Sequence, residues 1–335
     1  MNTTMMHWVG PAALGIALAA LPLLDSTYAL GVGFTLATWI ALALSWSMFS
    51  GLTGYVSLGH VVFYGIGATT VAMTWGTWPI WAAAAAGGAI AVALAFAVGR
   101  PCLKVRGPYF VMLTFGLAEF VKYVVIAVEA RMGSGSRMLL GAPDLDVLYW
   151  LMLALAVAAF LLMAGVRRSR MGEALRAIRE DETAAETIGI DAARFKTHAY
   201  ALSALIPALV GALLVLRGGY FEAHPAFDPT ISLTLICIAV IGGSDSPSGP
   251  LVGALFLVGL QELLWTRYPN LYMVVLGVAL ITFIMLAPRG IVGTLDGLRS
   301  GRGRSPARAE TGAAGSDADA ARPRPLRSEA DVGRA

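Results

Sequence analysis

Residues 78–99 read WPIWAAAAAGGAIAVALAFAVG, a run without one charged side chain, and Arg100 ends it. As an α-helix this run is about 33 Å long at 1.5 Å per residue, enough to cross a hydrocarbon layer of roughly 30 Å. A helix pairs its own backbone groups, which lipid cannot do for it. The pattern extends in both directions. Residues 1–99 hold a single charged side chain, Asp25, and the 335-residue chain is 57% hydrophobic and only 13% charged. Soluble domains carry about 25% charged residues, so a soluble enzyme is excluded. Apolar runs fall near 8–24, 28–50, 54–74, 78–99, 108–128, 147–166, 198–217, 229–241, 250–265 and 270–287. The fold expected is an all-α, polytopic transmembrane helical bundle of about 8–10 spans.

Charge placement orients the spans. Arg100, Lys104 and Arg106 place the loop after the fourth run in the cytoplasm, because cytoplasmic loops are rich in Lys and Arg. The arginine-rich block 167–196 and the segment from Arg289 then lie on the same side. Segment 129–146, with Glu129, Asp144 and Asp146, and segment 218–228, with Glu222 and Asp228, suit the outside. Ten spans with both termini cytoplasmic satisfy this pattern. Run 229–241 is short and 54–74 is rich in Gly and polar residues, so eight spans with re-entrant pieces is the alternative. The start, MNTTMMHW, has no basic region of the kind a cleavable signal carries, and the first run reads as a retained span. The domain division expected is a transmembrane domain over 1–290 and a disordered cytoplasmic tail over 291–335, where apolar periodicity stops. Cys102 and Cys237 lie far apart at apolar positions and show no metal-ligand spacing.

The block Arg167–Lys196, RRSRMGEALRAIREDETAAETIGIDAARFK, holds 13 of the chain's 45 charged residues and sits between two apolar runs. Good helix formers and no Pro or Gly from Glu173 to Ile188 predict one helix there, with Gly189 as the residue just past its end. Met171, Leu175, Ile178, Ala185 and Ile188 gather on one side, with Arg176, Arg179, Glu180 and Glu186 largely elsewhere. Such a helix at a membrane surface lies on headgroups, docks in a partner's groove, or is a solvated connector. The mixed charge signs favour a protein partner.

Three further features carry chemistry. Gly51–Gly67, GLTGYVSLGHVVFYGIG, has five glycines in 17 residues together with Thr53, Ser57 and His60. It predicts close helix packing with polar glue or an unwound segment beside a translocation path. Ser57 and His60 lack the flanking sequence of a hydrolase nucleophile elbow. The second feature, residues 242–250, GGSDSPSGP, reads as a loop. The third pairs Glu119 and Lys122 three apart, on one helix face, where mutual neutralisation is expected. With Glu262 as the other buried carboxylate, the count is too small for an ion-coupled secondary transporter, the competing class. The three lysines, Lys104, Lys122 and Lys196, all follow residues other than Gly, so there is no phosphate-cradling G-x-x-x-x-G-K-[ST] loop.

Together, Gly51–Gly67 with SLGH and YGIGA, the stretch Arg106–Thr114 (RGPYFVMLT), the block MGEALRAIREDETAAETIGID and GGSDSPSGPLVGA resemble LivM-type permeases. These are membrane subunits of branched-chain amino-acid ABC importers, and the resemblance covers roughly residues 28–293. It implies a non-enzymatic subunit of the bacterial cytoplasmic (inner) membrane. The partners implied are a LivH-type sister permease, two cytoplasmic ATPases carrying ATP and Mg, a periplasmic solute-binding protein and membrane lipid, with no nucleic acid. The chain itself would bind no cofactor or metal and hold no catalytic residue. Residues 167–197 become the coupling loop that docks on an ATPase, with Glu173, Arg176, Arg179, Glu180, Asp181 and Glu186 as interface candidates. Pathway candidates are Tyr55, Ser57, His60, Tyr109, Thr114 and Glu119. The substrates implied are branched-chain or other hydrophobic amino acids, with urea or short amides as alternatives. One stretch departs from the family pattern: where a Thr-Gly-Gly-like outer loop is common, residues 133–141 read GSGSRMLLG.

Overall fold

Most of the described apolar runs are helical, and five of the described helices begin at a side chain that caps them: Ser26, Ser169, Asp181, Asp191 and Asp228. A computed structural model describes residues 3–105, 107–132, 136–244, 246–265, 274, 277–278 and 290–293. The expected run 270–287 and the tail 291–335 lie wholly or almost wholly outside these residues. Helix α1 spans Thr3–Ala20 and α2 spans Thr27–Trp46, the latter begun by Ser26, whose hydroxyl accepts from the Ala29 N–H at 3.4 Å. A π-turn, Ser47–Gly51, ends α2 and a non-helical stretch follows before α3, His60–Thr74. Helices α4, Ile80–Cys102, and α5, Pro108–Arg131, come next. Strand β1, Arg137–Met138, precedes α6, Leu145–Arg168. The charged block forms α7, Arg170–Glu180, and α8, Glu182–Thr187, and leads into α9, Ala192–Gly218. Strand β2, Tyr220–Phe221, and one turn of helix, α10, Ala223–Ala226, lead to α11, Pro229–Gly242, and α12, Ser248–Trp265.

Among the described residues, six helical segments are long and apolar enough to cross a membrane: Thr27–Gly51, Ile80–Cys102, Pro108–Arg131, Leu145–Arg168, Ala192–Gly218 and Ala223–Gly242. Three shorter apolar helices accompany them, Gly10–Leu24, His60–Thr74 and Ser248–Leu263. The molecule is a polytopic helical bundle. Run 54–74 departs from the full-span reading toward the broken alternative: its helix starts only at His60, so its 15 residues reach about 22 Å. The physical reason is the sequence Gly51–Gly59, whose glycines release the backbone from the helix. Gly54, at φ 75°, has left helical space altogether.

The core is centred on α9, packed between α3 and α4 on one side and α2 and α6 on the other. Gly67 and Gly211 let α3 and α9 approach closely. A Cβ on Gly67 would fall inside the Ala208 carbonyl, and one on Gly211 inside that of Tyr64. Tyr149 of α6 is fully buried against α2, and its hydroxyl donates to the Leu18 carbonyl at 2.6 Å. At one end of the bundle β1 and β2 pair antiparallel, joining the loop before α6 to the chain leaving α9. The opposite, charged end carries α7 and α8.

Candidate functional site

The segment from Ser47 to Gly59 is where the bundle departs from helix, and its backbone groups find partners on other elements. Trp46 Nε1 donates to the Ser57 carbonyl at 2.8 Å. The Leu58 N–H donates to Thr114 Oγ1 of α5 at 3.2 Å. Ser232 of α11 donates to the Leu58 carbonyl at 2.8 Å and accepts from the Val61 N–H at 3.3 Å. Non-helical backbone within a membrane bundle persists where protein satisfies it in this way or where it lines a cavity. Beside the break lies an aromatic group. Phe49 meets Tyr200 edge-on at 4.9 Å between centroids, and Tyr200 meets Phe63 at 5.3 Å and His60 at 6.0 Å. His60 is 1% exposed, and neither ring nitrogen has a hydrogen-bond partner among the described residues. Ser57 Oγ instead accepts from the Gly59 N–H at 3.2 Å. No hydrogen bond links this serine to the histidine, so the pair is not a nucleophile with its base.

The charged block folds back onto this break. Ser169 caps α7 through the Gly172 N–H. The single helix expected from Glu173 to Ile188 is instead two, broken at Asp181. This residue is extended, at φ −155°, and its carboxylate accepts from the N–H groups of Thr183 and Ala184 at 2.8 and 3.0 Å. An Asp able to cap a new helix outcompeted continuation of the old one. Gly189 closes α8 as expected: at φ 91° it lets the Ile190 N–H reach the Ala185 carbonyl at 3.1 Å. Leu175 joins the main core, and Ile178 and Ala185 bury against Ala192. Ile188, expected on the apolar side, is 75% exposed, because the break at Asp181 re-aims the helix that carries it.

Two sets of polar contacts join block and break. Arg179 Nη1 donates to the Gly51 carbonyl at 2.7 Å, and the Arg179 stem lies where a Cβ on Gly54 would come within 3.1 Å. Below it, Lys196 Nζ meets Glu182 Oε1 at 2.6 Å, with side chains only 2% and 12% exposed. Tyr55 donates its hydroxyl proton to Glu182 Oε2 at 2.6 Å and accepts from Lys196 Nζ at 3.2 Å. Lys196 also donates to the Leu103 carbonyl at 3.0 Å, just past α4. A cavity of about 620 Å³ opens beside these contacts, walled by Thr53–Val56, the start of α5, Ile178 and Arg179.

The family described as branched-chain amino acid transport system / permease component matches residues 28–284. The chain belongs to this family. The high-affinity branched-chain amino acid transport system permease protein LivM of Escherichia coli (strain K12) is 27% identical over 315 residues, 84% of this chain and 73% of that one. The corresponding LivH protein of Salmonella typhimurium (strain LT2) is 27% identical over 292 residues, 78% and 93% of the two chains. BraD of Pseudomonas aeruginosa is 24% identical over 284 residues, 76% and 92%. No solved structure gives a significant match.

In this LivM-type permease the sequence-derived candidates separate into groups. Tyr55, Ser57, His60 and Thr114 gather around the break. Tyr109 is 73% exposed on the outer face of α5. Glu119 pairs with Lys122 at 2.5 Å, as their spacing implied, and lies on α5 farther from the break. Glu173, Arg176, Arg179, Glu180, Asp181 and Glu186 are all exposed residues. Three of them also bond within the chain: Arg176 to the Gly172 and Arg167 carbonyls, Arg179 to the Gly51 carbonyl, and Asp181 as a cap. Sequence reasoning missed Glu182, Lys196, Tyr200 and Ser232. Lys196 carried a signal: it is one of three lysines and stands at the edge of an apolar run, where an ammonium needs a fixed partner.

Proposed function

We propose that the chain is a membrane-spanning permease subunit of an ABC importer for branched-chain amino acids in the bacterial cytoplasmic membrane. Substrate would come from a periplasmic binding protein, with a LivH-type sister permease beside it and two cytoplasmic ATPases holding ATP and Mg. Family membership supports the transport role. The observation that carries the coupling is the α7–α8 block, an exposed array of both charge signs bonded directly to the break in the helices. Glu173, Arg176, Glu180 and Glu186 present charge outward, suited to a protein surface. The permease itself would hydrolyse nothing; nucleotide-driven movement of the docked ATPases would alternate the access of the path.

Reconstitution of the chain with its sister, ATPases and binding protein in proteoliposomes tests this. ATP inside the ATPase compartment should drive leucine uptake, and omission of the ATPases should abolish it. Uptake by the purified chain alone, driven by an ion gradient, would sink the proposal. Reversing Arg176 together with Glu173 and Glu180 should weaken ATPase retention on the purified permease.

A further inference from the structure

Among the described residues, four groups that meet beneath the break come from four parts of the chain. Glu182 begins α8, Lys196 lies in the second turn of α9, Leu103 follows α4 and Tyr55 belongs to the non-helical stretch. The coupling block also meets the bundle through apolar side chains, Leu175 and the small cluster of Ile178, Ala185 and Ala192. Apolar surfaces slide at little cost, whereas a buried ion pair with a shared hydroxyl fixes distance and direction. The partners also differ in stiffness. Helix α9 is 27 residues long and forms the centre of the core. Tyr55, by contrast, sits in backbone without the helical ladder, between Gly54 and Gly59, where dihedral change is easiest.

We propose that Glu182, Lys196 and Tyr55 form the joint through which movement of the coupling block displaces the broken segment Ser47–Gly59. The proposal rests on the importer reading above. Lys196, held by Leu103 and seated in α9, is the fixed pivot. Glu182 moves with α7 and α8 when the docked partner moves, and Tyr55 follows Glu182. Arg179, bonded to the Gly51 carbonyl, draws the upstream end of the same segment. Since Thr53–Val56 wall one side of the 620 Å³ cavity and Ile178 and Arg179 another, the motion changes that cavity's shape at the charged end. Glu182, Lys196 and Tyr55 are thus positioning residues, joined to one another and to the Leu103 carbonyl.

The test uses the whole importer in proteoliposomes and measures uptake and ATP hydrolysis together. Glu182→Gln combined with Lys196→Met removes both charges at once, which spares the fold the unpaired buried charge that either change alone leaves. The complex should assemble and hydrolyse ATP at the wild-type rate, while leucine imported per ATP falls about tenfold, a coupling loss of ordinary size. Tyr55→Phe, which deletes one hydroxyl and keeps the ring against Phe110, should lower the same ratio less. An unchanged ratio in the neutral pair would overturn the joint. Failure of that pair to assemble would make the cluster a fold clamp and overturn it equally. Failure of the importer reading is a separate outcome, visible as absent ATP-driven uptake with the unaltered chain.

Discussion

At the scale of single residues, glycine does two different jobs within one short motif. Gly51, Gly54 and Gly59 accompany the unwound stretch, while Gly65 and Gly67 sit inside α3 where other elements press closest. The Gly-rich pattern of 51–67 announced both uses but could not divide them, because the division depends on what α9 and Phe227 place opposite. Gly67→Ala should therefore push α3 off α9 and cost about 1–3 kcal/mol, the usual range for overpacking a well-filled contact. Gly116→Ala is the matched control: it lies inside α5 with nothing within 4 Å of the added carbon. That change should leave stability equal or slightly raised, since Ala favours helix over Gly by roughly 1 kcal/mol. Thermal unfolding of the two purified variants in one detergent decides it, and equal melting points would refute the close-packing account. His60 shows the limit of legibility at this scale. Its place in an apolar run was plain, but its aromatic surroundings come from Phe49, Phe63 and Tyr200, and Tyr200 lies 140 positions away in the sequence.

Among elements, apolar length, the Gly189 cap and, as one of two alternatives, the unwinding within 51–67 were readable, while the break inside the charged block was not. Runs such as 108–128 and 147–166 became α5 and α6 with boundaries shifted by a few residues, because about twenty apolar residues leave little alternative in lipid. Glu173–Ile188 was misjudged because every residue in it tolerates a helix, and propensity summed over the stretch hides one favourable place to restart. The signal was present as Asp181 followed by Glu182 and Thr183, an acid at a cap with another in the first turn. Six-residue α8 has little stability of its own, so this cap matters more than one on a long helix. Asp181→Ala should remove roughly 1 kcal/mol from it. Hydrogen exchange at the Thr183 and Ala184 amides should then quicken several-fold, while amides in α9 stay protected. Unaltered exchange at 183 and 184 would mean that tertiary contacts, not the cap, hold α8. Asp181→Asn, which keeps a capping oxygen, should retain most of the protection.

For the whole molecule, burial is distributed unevenly, and the imbalance points outward along one helix. Of the apolar windows in the span-length helices, that of α5 is 17% buried, against 72% in α2 with its π-turn and in α9. Lipid can cover Tyr109, Met112, Phe120 and Tyr123, each more than 60% exposed, as well as a protein can. It covers the partly exposed Glu119 carboxylate poorly, even with Lys122 at 2.5 Å, because charge in hydrocarbon is expensive. Gly116 adds a notch between Tyr109, Met112 and Phe120, opening a groove of about 540 Å³, and small residues in such notches let helices approach closely. A sister permease packed along α5 would shield the carboxylate and fill the groove, completing the two-subunit arrangement proposed above. A photoreactive phenylalanine analogue placed at Tyr109 or Phe120 should then yield covalent adducts with the co-expressed LivH-type subunit on illumination. The same probe at Trp81, 76% exposed at the start of α4, should give none. Adducts with lipid alone at all three positions would assign α5 to the bilayer, and the second subunit would have to lie against another face.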